Sequence, residues 1–99
     1  MDLNNKVIAI TGAGRGLGRS MALTLAAKGA KLALIDLNQE DLDTTLEQVR
    51  EAGSDGKTYI CNVAQETEVE AVFAAIPTDL GGINGLINNA GITRDGLFI

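Results

Sequence analysis

The sequence predicts an α/β fold, a doubly wound parallel sheet, on three observations. Short apolar runs of strand length alternate with longer segments of helical period. A strand and a helix follow one another three times, and a fourth strand closes the series. Parallel strands need such crossovers, and right-handed crossovers put helices on both faces of one sheet. The strand segments are apolar on both sides of the pleat, as strands covered from both faces are. The expected strand order is 3-2-1-4.

The first strand is Lys6–Thr11, KVIAIT, too short for a helix and too apolar for a one-sided strand. A helix is expected from Gly16 to Gly29. Leu17, Met21 and Leu25 recur every fourth residue, Ala22 and Ala26 lie beside them, and Gly29 stands in the C-cap region. Lys31–Leu37, KLALIDL, is the second strand. Asn38 can cap the second helix, with Glu40 and Asp41 in its first turn, where acids suit the positive end of the helix dipole. Leu42, Leu46 and Val49 form its apolar stripe, and Gly53 ends it. The third strand is Lys57–Val63, KTYICNV. Val69, Val72, Phe73 and Ile76 give a third helix over Glu66–Ile76, which Pro77 is expected to end or kink. Leu80 lies one turn further on the same stripe, so a short helical turn can follow Pro77 before Gly81-Gly82. The fourth strand is Gly85–Asn88, and Ala90–Ile99 is loop or the start of another element.

Composition excludes several classes. At 99 residues one domain is the limit, and 45% hydrophobic residues with 21% charged describe a globular chain with mean hydropathy +0.14. No apolar run approaches the ~20 residues of a membrane span. The polar start, MDLNN, has no cationic region ahead of an apolar one, which argues against a secretory leader and for a cytoplasmic protein. One cysteine and no histidine leave no internal disulfide, no Cys/His zinc site and no Cys-His or Ser-His pair. A net charge of −5 argues against nucleic acid and anionic membranes as partners.

The strongest chemical signal is Thr11-Gly12-Ala13-Gly14-Arg15-Gly16-Leu17-Gly18, between a buried strand and an amphipathic helix. A glycine turn lets backbone approach a pyrophosphate, and the helix N-terminus offers unpaired N–H groups. The spacing is T-G-x-x-x-G-x-G; it is neither G-x-G-x-x-G nor a P-loop, which needs G-K-[ST]. Asp36, ending the second strand, can accept the adenosine ribose hydroxyls and repel a 2′-phosphate. Arg15 reads two ways, as a partner for a 2′-phosphate or as an exposed arginine. Asp36 lies nearer the 2′ position, so the expected cofactor is NAD, with NADP second. Asn62 can donate to and accept from an adenine edge, or simply open a turn. Cys61 reads as a small buried hydrophobe. In Asn88-Asn89-Ala90-Gly91-Ile92-Thr93-Arg94-Asp95 the paired asparagines can fix main chain, and Ala90 and Gly91 leave room for a ligand. The same segment alone would pass for an Asn-rich turn, with Arg94 and Asp95 a solvated pair.

Taken together, Thr11-Gly12-x-x-x-Gly16-x-Gly18, Asp36, Asn62-Val63 and Asn88-Asn89-Ala90-Gly91 resemble the short-chain dehydrogenase/reductase family. The run NNAGITRDGLF resembles its 3-oxoacyl-acyl-carrier-protein reductase branch. The resemblance implies a Rossmann-type fold and a cofactor site. Gly12, Gly14, Arg15, Gly16 and Leu17 would line the pyrophosphate and adenosine ribose. Asp36 and Leu37 would flank the adenosine, and Asn62 and Val63 would touch adenine. Asn89, Ala90 and Gly91 would pass beneath the middle of the cofactor; Asn88 would brace the sheet and Thr11 would tie the glycine turn to it. The implied reaction moves a hydride between nicotinamide and a carbonyl or secondary alcohol, on a small-molecule or acyl-carrier-linked substrate, in a homotetramer or dimer. Acyl-carrier-protein reductases of this family usually use NADPH, whereas Asp36 argues for NAD.

The family's catalytic set, an Asn, a Ser and a Tyr-x-x-x-Lys, is expected beyond residue 99. The one tyrosine, Tyr59, is followed four residues on by Val63 instead of lysine. No catalytic and no metal-binding residue is therefore assigned, and residues 1–99 alone are expected to be inactive. The third helix alone would cover one face, leaving apolar surface on the first and fourth strands bare. Leu97-Phe98-Ile99 also ends in mid-pattern. Residues 1–99 thus read as the N-terminal, dinucleotide-binding half of a single Rossmann-type domain, truncated. The alternative is a standalone nucleotide-binding or assembly module without chemistry.

Overall fold

The computed structural model describes residues 2–91. Its elements are β1 (Val7–Thr11), α1 (Gly16–Ala27), β2 (Lys31–Asp36), α2 (Gln39–Glu51), β3 (Gly56–Ile60), α3 (Glu66–Leu80) and β4 (Gly85–Asn88), then a 3₁₀ turn at Asn89–Gly91. The four strands form one sheet in the order β3-β2-β1-β4, every pair parallel. The alternation predicted the parallel sheet, and its order is the one expected of a Rossmann-type fold.

Alternation along each strand divides the core in two. Ile10, Leu32 and Leu34 pack with Ala22 and Ala26 of α1 and with Leu42 and Val49 of α2. Val7, Ala9, Ala33 and Ile35 face the other way, onto Val72 and Ile76 of α3. The buried face of α1 is Gly18, Ala22 and Ala26, small residues that let the helix lie close to the sheet. Leu17, expected on the apolar stripe, is instead 60% exposed, because it sits in the first turn beyond the end of β1.

Three expectations need correction. β3 stops at Ile60, so Asn62-Val63 lies in the loop after it. The Asn62 side-chain oxygen accepts from the Ala64 N–H at 2.9 Å, and the Asn62 N–H donates to Glu68 Oε1 at 2.9 Å. Those bonds divert the backbone from the ladder. Secondly, α3 runs through Pro77 to Leu80. The proline forfeits one intrahelical bond, but Ile76 and Leu80 continue the stripe that packs on the sheet. Gly81 then ends the helix at φ 90°, its N–H donating to the Pro77 carbonyl at 2.9 Å. Thirdly, β1 is not bare: it lies between β2 and β4 and is buried along most of its length. The exposed apolar surface falls on β4, where Leu86 is 53% exposed.

Arg94-Asp95 and Leu97-Phe98-Ile99 lie outside the described residues. Among the described residues no helix is long and apolar enough to cross a membrane.

Candidate functional site

The strand register brings the site together. Thr11 lies opposite Ile35 on one side and Asn88 on the other, so β1 and β4 end level and β2 runs one residue further, to Asp36. Beyond that line the chain turns into α1. Gly12 makes the turn at φ 68°, and a Cβ there would stand 2.8 Å from Asn89 Nδ2. A Cβ on Gly14 would stand 2.8 Å from Asp36 Oδ2 and 2.9 Å from Asp41 Cβ. One on Gly18 would collide with the Gly12 carbonyl, so α1 meets the turn backbone to backbone. These three glycines pack protein on protein. Gly16, at φ 61°, has nothing within 4 Å of its Cβ position, and this is where the turn opens outward.

The start of α1 differs from those of the other helices. α2 is capped by Asn38, whose oxygen accepts from the Asp41 N–H at 2.9 Å, and carries Glu40 and Asp41 in its first turn. Glu66 and Glu68 occupy the first turn of α3. α1 has neither a side-chain cap nor an acidic first-turn residue, so its positive end is left for an external anion. The Arg15 side chain is 82% exposed, with Nε 3.9 Å from Asp41 Oδ2.

The turn's carbonyls, by contrast, are all engaged. The Gly12 carbonyl accepts from Asn89 Nδ2 at 3.2 Å, and the Ala13 carbonyl from the Thr45 hydroxyl at 2.9 Å. The Gly14 carbonyl accepts from the Arg19 guanidinium. Arg19 also donates through Nε to Thr45 Oγ1 at 2.9 Å and through Nη2 to the Asp41 carbonyl at 3.2 Å. Sequence reasoning missed both Arg19 and Thr45. The available signal was Thr45 itself: a hydroxyl at helical spacing between Leu42 and Val49 takes the fully buried place expected of Leu46, which is only half-buried.

Asp36 is tied into the turn. Oδ2 accepts from the Gly14 N–H at 2.8 Å and Oδ1 from the Leu37 N–H at 2.8 Å. Each oxygen keeps a further lone pair for a ligand hydroxyl. Leu37 is 63% exposed beside it. The Thr11 hydroxyl donates to Asn88 Oδ1 at 2.8 Å and accepts from the Ala90 N–H at 3.0 Å. The structure thus joins Gly12, Gly14, Asp36, Asn89 and Ala90 by direct bonds, with Arg15, Gly16 and Leu17 in the same turn and Gly91 closing the 3₁₀ turn. Asn62 connects less directly: its neighbour Cys61 donates its N–H to the Asp36 carbonyl at 2.9 Å. With its oxygen committed to the turn at Ala64, Asn62 keeps Nδ2 for a ligand.

A cleft of about 130 Å³ at the strand ends, on the α3 side, is lined by Ile35, Cys61, Val63, Phe73 and Leu86 among others. Burial first and the Glu68 charge second push the Cys61 thiol up, which suits an apolar lining residue. A wider depression along α2 is lined by Asp43, Glu47 and Glu51 with Arg50, a poor setting for an anion. Among the described residues no three Cys, Asp or Glu side chains gather as a metal site.

A four-stranded parallel sheet in the order 3-2-1-4, with a glycine turn and a free helix N-terminus at its carboxyl edge, defines a Rossmann-type α/β protein. Residues 6–99 match the short chain dehydrogenase family, and the chain belongs to it. It is 43% identical over 90 residues to levodione reductase of Leifsonia aquatica, covering 89% of this chain and 34% of that enzyme. It is 38% identical over 99 residues to a 3-oxoacyl-[acyl-carrier-protein] reductase of Vibrio cholerae, covering 100% of this chain and 39% of that one. Among solved structures, levodione reductase superposes with a TM-score of 0.86 at 38% identity, over 98% of this chain and 40% of the other. NAD⁺-bound xylitol dehydrogenase gives 0.83 at 37% identity, over 87% and 33%. The chain therefore spans little more than a third of the length of the relatives it matches.

Proposed function

We propose that this chain is the cofactor-binding half of a nicotinamide-dependent oxidoreductase acting on a carbonyl or secondary alcohol. The observation that carries the reading is the uncapped start of α1 behind the open Gly16, with the Asp36 carboxylate held at the end of β2. An anion fits the helix start, and a vicinal diol fits the carboxylate. Gly16 and Leu17 would lie along the pyrophosphate, Asp36 and Leu37 by the adenosine ribose, and Val63 by the adenine. Asn89, Ala90 and Gly91 would support the middle of the cofactor. The bound nicotinamide supplies or accepts the hydride. These residues bind and orient; none is assigned a proton transfer, so residues 1–99 alone should give no turnover of ketone or alcohol above a cofactor-only blank.

The cofactor we favour is NAD. Asp36 can accept from both ribose hydroxyls, whereas a 2′-phosphate removes one donor and sets a dianion beside the carboxylate. Arg15, exposed and solvated, recovers only part of that repulsion. The substrate class is a small or acyl-carrier-linked carbonyl, in keeping with the reductases among the relatives; for the assembly we propose a homotetramer or dimer, as the family resemblance implies. Binding titrations of the full-length protein with NAD and NADP test the cofactor. Asp36→Asn removes the charge yet keeps an acceptor for Gly14. The wild type should bind NAD more tightly, and the substitution should narrow the gap. A wild type that already prefers NADP would overturn the assignment and make Arg15 the deciding residue.

A further inference from the structure

We propose that Arg19 and Thr45 are positioning residues for the dinucleotide. They hold the Ala13 and Gly14 carbonyls inward, so that the glycine turn presents donors instead of lone pairs to a pyrophosphate. The inference rests on the dinucleotide reading above and assigns two residues outside the glycine motif to that site.

A trans peptide points its C=O and N–H in opposite directions, so fixing one aims the other. In the Gly12–Ala13 peptide the carbonyl goes to Asn89 and the N–H to the Ile35 carbonyl at 3.1 Å. In the Ala13–Gly14 peptide the carbonyl goes to Thr45 and the N–H to Asp36. In the Gly14–Arg15 peptide the carbonyl goes to Arg19, and the Arg15 N–H has no acceptor among the described residues. The third peptide is thus the first in the turn with a free donor, just ahead of the uncapped start of α1. Without Arg19 only the Thr45 hydroxyl, 3.2 Å away and shared with the Ala13 carbonyl, favours that orientation, and glycine at position 14 makes rotation easy. A rotated peptide would put a carbonyl oxygen toward the phosphate.

Charge points the same way. The two Arg19 nitrogens that bond do so to carbonyls and a hydroxyl, and no carboxylate pairs with the guanidinium among the described residues. Its charge therefore adds to the positive end of α1. Thr45, fully buried, keeps the guanidinium in place by accepting from Nε. Lysine could supply the charge but not the fork that reaches Thr45 and two carbonyls together.

The test uses the full-length protein with two probes, ADP-ribose, which carries the pyrophosphate, and adenosine, which does not. Arg19→Lys and Thr45→Val should each weaken ADP-ribose binding about tenfold, the scale of one hydrogen bond to a charged group, and leave adenosine binding unchanged. Thr45→Ser, which keeps the hydroxyl, should restore ADP-ribose binding. Equal weakening for both probes would mean a merely structural role and would overturn the proposal, as would no change for either. A wild type that binds neither NAD nor NADP would sink the dinucleotide reading itself, whatever the variants do.

Discussion

Gly16 and Gly18 belong to one motif, yet the structure gives them opposite work. A methyl on Gly18 would meet the Gly12 carbonyl, backbone against backbone, with no side chain free to yield. Gly18→Ala should therefore lower stability by about 2–3 kcal/mol, the upper part of the range for overpacking. Gly16→Ala finds open space and suffers only from its positive φ, about 1–2 kcal/mol. That methyl would stand where we place the pyrophosphate, so Gly16→Ala should weaken dinucleotide binding more than its stability loss suggests. Urea unfolding beside a cofactor titration on each variant separates the two effects. The spacing made all four glycines legible as a group. It could not divide packing glycines from ligand-facing ones, because that depends on Asn89, Asp36 and Asp41, which the fold brings from elsewhere in the chain.

Helices show where local rules hold and where packing overrides them. Asn38, Glu40 and Asp41 start α2 as expected, because a cap is a contact within one turn. The four strands were legible from periodicity, since burial on both faces demands apolar runs; their order followed from the resemblance to a Rossmann-type fold. The end of β3 was not legible: Cys61 and Val63 look like strand, and the bonds of Asn62 to Ala64 and to Glu68, on the following helix, set the boundary. Pro77 misled for a related reason. Propensity says stop, but Ile76 is fully buried and Leu80 packs beside it, and one lost backbone bond does not outweigh that burial. Pro77→Ala should consequently stabilise the protein. The exposed site gains a helix bond and a better helix former, worth up to ~3 kcal/mol in isolated helices. About 0.4–1 kcal/mol is returned through the freer unfolded chain. A net gain of about 1–2 kcal/mol is expected in urea unfolding; a loss would mean that Pro77 contributes packing the helix needs.

Across the whole molecule, β3 is an edge strand held to its neighbouring helices by two charged ties. Near its start, Arg50 at the end of α2 bonds Asp55 at 2.9 Å. Near its middle, the Tyr59 hydroxyl donates to Asp79 of α3 at 2.9 Å, and Lys57 reaches the same oxygen at 3.1 Å. The Tyr59 bond, then Lys57, hold the Asp79 carboxyl below the usual carboxylate range. Arg50, then the Gly56 N–H, do the same for Asp55. Burial, then Asp79, pushes the Tyr59 phenol well above its usual value. Each carboxylate therefore contributes stability that is fully present above its unfolded pKa, about 4, and is lost as pH falls through the folded value. Tyr59 works in reverse: its contribution is complete below the unfolded phenol pKa of about 10 and is lost as pH rises beyond it. The Arg50–Asp55 pair is exposed on both sides and should matter little. The Tyr59–Asp79 tie joins a buried ring to α3 and should dominate. Urea unfolding across pH is then expected to show a plateau between about pH 4 and pH 10 from these groups. Asp79→Asn should flatten the acid limb and Asp55→Asn barely change it. Tyr59→Phe should flatten both limbs, because it removes the phenol and the bond that depresses Asp79. If Tyr59→Phe leaves the acid limb untouched, Lys57 holds Asp79 unaided and the hydroxyl is not what ties α3 to the edge of the sheet.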